Sequence, residues 1–352
     1  MSRHLIVLPD DSPKAFLKAI AKAKESLRIK MFIFSDLAMR KAVIAAHKRG
    51  VKVRVMLNPV RRDGTGENEA TRAALLAAGV EVADSNPKFP VTHEKSMVVD
   101  SKIAFVNSLN WNKENLERTR DYAIRTKHLH EVKEVIEGFE ADWHRQHFDP
   151  GEGAHMIWAV GNARERIARL IDGAKHSLWL QHERYQDPVI LERLVRAKMR
   201  GVDVRLMARA PHTLKEKKLL EGVGGMRVLN DVGIKVHKMH HLKLHAKLVM
   251  ADGERAIVGS VNLAPGSFDE RRELAIEVDD HKIVRRLRRV IEHDWKRSRP
   301  IDLSDDALAH DLRKYGPEVI HELALTPSTD LDAKSSKHDK PERKGTKKQK
   351  GR

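Results

Sequence analysis

Two spacings of apolar residues alternate along the chain. A helical spacing predicts an amphipathic helix from Pro13 to Ser26, and a continuous apolar run predicts a strand from Leu27 to Phe34. A second helix is predicted from Leu37 to Arg49, ended by Gly50, with a strand at Val51 to Leu57. A polar, glycine-containing loop at Arg61 to Asn68, a helix to Ala78 and a strand after Gly79 follow. Strands alternating with helices predict α/β layers, with helices covering a mostly parallel sheet. The same order restarts near Asn162, beyond the Gly- and Pro-containing stretch Phe148 to Ala154. The stretch "HKIVRRLRRVIEHDWKRSR" reads as a basic helix, with more helix to about Leu325. From Thr326 onward large apolar side chains almost vanish, which predicts disorder. Three segments result: a first unit at 1–150, a second with C-terminal helices at 151–325, and a basic disordered tail at 326–352.

The restart is a true repeat. "AKESLRI" from Ala23 returns as "AKHSLWL" from Ala174, and "RGVKVRVM" from Arg49 as "RGVDVRLM" from Arg200, both at an offset of 151. "AGVEV" from Ala78 is matched loosely by "VGIKV" from Val232. "HEKSMVVD" from His93 returns as "HAKLVMAD" from His245, at an offset of 152. Four echoes in one order and at nearly one spacing point to a duplicated and fused ancestral unit.

Composition narrows the class. No apolar run is long enough to span a membrane, and Leu5 to Leu8 is too short for the core of a signal peptide. There is no cysteine, hence no disulfide frame and no thiolate chemistry, as expected of a cytoplasmic protein. The formal net charge is +17, of which the segment from Asp330 to Arg352 carries +5. The remaining +12 lies on the body, which predicts attraction to polyanions: nucleic acid, anionic headgroups or phosphorylated substrates.

The chemistry sits in the last echo. On a regular strand His93 and Lys95 share one face, as do His245 and Lys247, while Met97 to Val99 and Leu248 to Met250 pack inside. Asp100 and Asp252 lie seven residues after their histidines, Ser108 and Ser260 fifteen, Asn110 and Asn262 seventeen, and the acids Asp121 and Glu273 twenty-eight. Two further H-x-K sequences, at His241 and His338, lack the aspartate. A lone histidine on an apolar strand is ordinarily a hydrogen-bonded core residue; two with matching companions are not.

This set resembles the phospholipase D superfamily, whose signature is H-x-K-x4-D followed by G-S-x-N, over roughly Pro9 to Arg299. The resemblance implies two duplicated α/β/α units packed with pseudo-two-fold symmetry, both motifs in one cleft, and a complete site within a monomer. It implies His93 as nucleophile and His245 as acid/base, with Lys95, Lys247, Asn110 and Asn262 holding phosphate oxygens. Asp121 and Glu273 would orient the histidines. Asp100, Asp252, Ser108 and Ser260 are read as structural members of the motif. One departure is Asn107 where the signature has glycine; the tolerance of Asn for unusual backbone angles predicts a modest local adjustment.

The resemblance implies no cofactor and no metal. The cluster His237, His240, His241, His245 has no helical spacing and is not read as a metal site. The Arg285, Arg286, Arg288, Arg289 run reads as a solvated helix face, and Trp111 as either a cleft border or a core residue. Two motifs on one chain favour a phospholipid phosphodiester as substrate, by hydrolysis or headgroup exchange, with peripheral contact at an anionic membrane. The rival is a nuclease: the basic body suits a nucleic-acid backbone as well as a membrane, and an aromatic content of only 5% gives little support to base stacking or to an interfacial lipid surface. A non-catalytic polyanion-binding protein is the third class.

Overall fold

In a computed structural model the described residues are 3–59, 66–151, 153–211, 216–307 and 310. The segment 61–65 of the expected loop, most of the expected helix to Leu325 and the tail 326–352 lie outside them; where that helix was expected to continue from the basic helix, Ser298–Pro300 form a strand instead. The chain divides into Met1–Leu303, which is one compact unit, and Ser304–Arg352.

The first half contains β1 (His4–Leu8), α1 (Lys14–Lys22), β2 (Ser26–Met31), α2 (Leu37–Lys48), β3 (Lys52–Leu57), α3 (Glu69–Ala77), β4 (Glu81–Asp84), β5 (Ser96–Val99), β6 (Ile103–Asn107), α4 (Lys113–Glu117), β7 (Thr119–Thr126) and α5 (Leu129–Trp143). The second contains β8 (Met156–Trp158), α6 (Ala163–Asp172), β9 (Ser177–Gln181), α7 (Pro188–Met199), β10 (Asp203–Met207), α8 (Glu216–Asp231), β11 (Val236–Met239), β12 (Lys243–Leu244), β13 (Leu248–Ala251), β14 (Arg255–Gly259), α9 (Pro265–Asp269), β15 (Leu274–Val278), α10 (His281–Lys296) and β16 (Ser298–Pro300).

Each half builds a mixed sheet, in the orders β1-β7-β6-β5-β2-β3-β4 and β16-β11-β10-β9-β13-β14-β15-β8. The expectation of a mostly parallel sheet is corrected. Within these orders only β2–β3–β4 and β9–β10–β11 run parallel, where helices make the crossovers. The other pairs within these orders are antiparallel, because tight turns such as that between β5 and β6 reverse the chain directly.

The repeated residues explain the repeated elements. Asp36 and Asp187 cap α2 and α7, accepting from the backbone N–H of Met39 at 2.8 Å and of Ile190 at 3.1 Å. Gly50 and Gly201 follow those helices at φ 90° and 88°, a left-handed conformation that costs glycine least. Helix α1 ends at Lys22, short of the expected Ser26, because Ser26 already pairs with Lys52 in the sheet.

Strand β1 was legible only as a short apolar run. Ile6 and Leu8 face the core under α1, α2 and α3, whereas Leu5 and Val7 face a second core. That second core is common to both halves. It joins Val98, Val106 and Ile124 of the first sheet to Met250, Val258 and Ile276 of the second, with α5 and α10 packed in. Apolar burial of this kind, at roughly 25 cal/mol per Å², holds the two sheets as one body. Arg286 of α10 is not simply solvated as expected: it pairs with Asp11 at 2.7 Å and donates to the Leu5 carbonyl. Trp111 is fully buried against Phe34 and Phe16, which makes it a core residue.

Candidate active site

The two H-x-K segments are not on strands. His93 to Lys95 precede β5, and His245 to Lys247 lie between β12 and β13. The period-2 argument for their shared face is therefore corrected. These segments leave their own sheets to pair with the opposite half. The His93 N–H donates to the Arg272 carbonyl at 2.8 Å, and Thr92 bridges Arg272. Strand β12 joins the first sheet beside β7, and the His245 N–H donates to the Arg120 carbonyl at 3.3 Å. The lysines fold back on the same segments, Lys95 Nζ onto the His93 carbonyl and Lys247 Nζ onto that of His245.

This exchange decides the pairing of histidines and acids. His93 Nδ1 lies 2.8 Å from Glu273 of the second half, and His245 Nδ1 lies 2.9 Å from Asp121 of the first. Each histidine is held by the other repeat's carboxylate, a crossing that sequence spacing does not reveal. The acids are fixed in turn. Ser108 and Thr119 donate to Asp121 at 2.6 and 2.5 Å, and Ser267 donates to Glu273. Ser260 instead staples its turn, accepting from the Leu274 N–H at 3.0 Å. Asn110 donates to Asn115 at 3.1 Å, and Asn262, nearly buried, is set by a bond from its backbone N–H to Ser267 at 3.0 Å.

Asp100 and Asp252 stand away from this cluster. Both take a left-handed backbone, φ 51° and 55°, and turn their carboxylates onto backbone N–H groups. Asp100 accepts from Lys24, Glu25 and Ser26, and Asp252 from Lys175, His176 and Ser177. They lock the turn into β2 and β9. Gly259 needs its lack of a side chain, since a Cβ there would lie 2.4 Å from the Ala275 Cα. At the equivalent Asn107 φ is not positive, so the expected use of unusual backbone angles does not occur. Its amide is instead fully buried, with neither polar atom hydrogen-bonded.

The electrostatics are uneven between the halves. Burial, helped by the charges of Lys95, Lys247 and His245, pushes His93 well below the usual histidine value, which keeps it neutral. Burial raises Glu273 to about 6 against the pull of Arg271 and Lys95. Burial opposes ionisation of Asp121 too, but His245, Lys247 and its hydrogen bonds outweigh it and hold Asp121 below the ordinary carboxylate range. Burial and Lys247 push Lys95 far down from the usual lysine value.

The sequence reading missed several neighbours. Phe32 sets its ring edge against His93 at 4.8 Å, whereas the equivalent position in the repeat is Glu183, 3.5 Å from Lys247. His182 is buried, with neither ring nitrogen hydrogen-bonded, and burial lowers it to about 3. Arg120 and Arg272, each just before an acid, reach the opposite half: Arg120 to Asp294 at 2.8 Å and Arg272 to Asp142 at 2.9 Å. Lys30 joins the latter pair, 2.6 Å from Asp142 and 2.9 Å from Glu94. A signal existed, because "DW" recurs at Asp142 and Asp294 at the same offset as the histidines.

The model of the family "Cardiolipin synthase, PLD-like domain" matches the chain twice, at residues 16–143 and 167–295. The chain belongs to this phospholipase D-like family. It is thus an enzyme of the phospholipase D type, carrying the family's domain in duplicate. Cardiolipin synthase 1 of Bacillus cereus is 26% identical over 84% of this chain and 67% of its own length. Cardiolipin synthase B of Escherichia coli K12 is 27% identical over 78% and 75%. Among solved structures, a phosphatidylserine synthase from Haemophilus influenzae superposes with a TM-score of 0.66 at 10% identity, over 89% of this chain and 92% of that one. A polyphosphate kinase from Porphyromonas gingivalis reaches 0.69 at 18% identity; it covers 91% of this chain, which spans about half of the kinase (53%). At such identities these two likenesses concern the fold. Among the described residues no group of three or more His, Cys, Asp or Glu is placed to hold a metal ion, and no helix is long and apolar enough to cross a membrane.

Proposed function

We propose that the protein transfers a phosphatidyl group from a phospholipid to an alcohol or to water, through a covalent intermediate on His93. The observation that supports this most is the crossed arrangement of two histidine–carboxylate pairs beside two buried lysines. The cardiolipin synthase relatives support a phospholipid as the phosphodiester.

Neutral His93 donates its Nδ1–H to Glu273, which leaves the Nε2 lone pair free to attack phosphorus. As the P–N bond forms, the bond from phosphorus to the leaving oxygen breaks, and that oxygen takes a proton from His245. Asp121 accepts from His245 Nδ1 and so orients the ring for this step. An acceptor alcohol or water then gives its proton to His245 and attacks phosphorus, which breaks the P–N bond and frees His93. Lys95, Lys247, Asn110 and Asn262 supply positive charge and donors to the non-bridging oxygens. An incoming phosphodiester adds negative charge beside Lys95, which favours its protonated form against the effect of burial.

The test offers phosphatidylglycerol vesicles, and separately single- and double-stranded DNA, all with chelator present. Cardiolipin or phosphatidate should form, and His93→Ala and His245→Ala should each lower the rate by about two or more orders of magnitude. Lipid turnover that survives both substitutions would overturn the mechanism. His93-dependent DNA cleavage without lipid turnover would move the enzyme to the nuclease branch, which the body's charge of +12 favours. The repeats 1–150 and 151–325 are proposed as units of duplication rather than of independent folding.

A further inference from the structure

The first half carries a cavity of about 420 Å³ between α1 and the sheet, with Ile6 and Ile103 in its floor. Asp100, in its lining, lies just past the C-terminal end of β5, whereas His93 and Lys95 precede the N-terminal end. The two places are therefore at opposite ends of one strand.

Four basic side chains line the cavity: Lys18, Lys22, Arg125 and Lys127. The one acid there, Asp100, is already bound by three backbone N–H groups. Among the described residues these four side chains have no ion pair or hydrogen bond, and the Arg125 Nε is buried without a partner. His4, also in the lining, is pushed down by burial and by the charges of Arg125 and Arg286, as expected in a positive field.

The second half supplies an internal comparison. At the position of Arg125 it has Glu277, and at that of Ile103 it has Arg255. Glu277 pairs with Arg166 at 3.1 Å and with Arg255, so the arginines at the equivalent place have an acid partner. The unpaired cations belong to the first half and are not a by-product of the repeat.

We propose that this cavity is a second ligand site, separate from the histidine cleft, that binds a phosphate-bearing anion. An arginine fork and flexible ammonium groups suit phosphate oxygens. The volume is in the range of small-ligand sites, and the apolar floor accommodates carbon attached to the phosphate. A lipid headgroup and a free phosphate ester share this chemistry.

The experiment follows the His4 imidazole signal by NMR in the full-length protein, assigned with His4→Gln. Probes are inorganic phosphate, glycerol 3-phosphate, and phosphatidylcholine vesicles with or without phosphatidylglycerol. At least one phosphate-bearing probe should shift the His4 signal. Arg125→Gln should weaken that response about tenfold or more, and so should the exposed-site variant Lys18→Gln/Lys22→Gln. His93→Ala should leave the His4 response intact, as a site separate from the cleft requires. A response to phosphatidylglycerol vesicles but not to phosphatidylcholine alone identifies a lipid headgroup. A response to the soluble phosphates alone identifies a free ester. If no probe moves His4, or if both variants respond as wild type does, the proposal fails. Because the readout is His4, it is independent of whether the cleft turns over lipid.

Discussion

The two acids of the site sit in opposite electrostatic situations, which separates activity from stability. Glu273 is raised to about 6 by burial, so its ionised form burdens the fold. The stability it confers is present at low pH and is lost as pH rises through about 6. Glu273→Gln should therefore raise stability at neutral pH, by on the order of 1–2 kcal/mol, while lowering turnover about a hundredfold. Asp121 is depressed, so its contribution is present above the ordinary carboxylate range and is lost as pH falls through its lowered value. Asp121→Asn should cost on the order of 1–3 kcal/mol as well as activity. Chemical denaturation of both variants at pH 7 checks the opposite signs. The rate of the wild-type enzyme should fall as pH drops below about 6, when Glu273 no longer accepts the His93 Nδ1–H. A pH–rate profile flat down to pH 5 would contradict this assignment.

Among the elements, the turns into β2 and β9 bear the motif aspartates. Each carboxylate takes backbone N–H groups that would otherwise lack partners, in a left-handed turn that Asp tolerates. Asp100→Ala and Asp252→Ala should each lower stability by about 2 kcal/mol, with turnover per folded molecule retained. Thermal melts paired with active-site titration test this. The same elements show what a sequence discloses. The duplicated helices and strands were legible because Asp36, Gly50 and their echoes Asp187 and Gly201 are local signals. The extended lead-ins of His93 and His245 were not. They look like strand residues in sequence, and only their pairing with Arg272 and Arg120 takes them out of it. The direction of the sheet strands was likewise hidden, since parallel and antiparallel neighbours can share the same apolar pattern.

At the scale of the whole molecule, the halves exchange acids, segments and a core. Arg120–Asp294 and Arg272–Asp142 are buried pairs that cross between them. Asp142→Asn or Asp294→Asn, which strands an arginine in the interior, should cost about 3–5 kcal/mol. With one core common to both sheets, calorimetry should show a single unfolding transition for Met1–Leu303, and a variant such as Asp294→Asn should move all of it. The repeat itself was plain in the sequence. That each histidine depends on the other repeat's carboxylate was not, because an offset of 152 is the same whether partners are matched or crossed. The most direct measurement quenches the enzyme during turnover of labelled phosphatidylglycerol and maps label to residues by mass spectrometry. Wild-type enzyme quenched during turnover should carry a phosphatidyl adduct on His93, and His93→Ala should carry none. Label on neither histidine in a turning-over enzyme, or an adduct on His245 in active His93→Ala, would contradict the account.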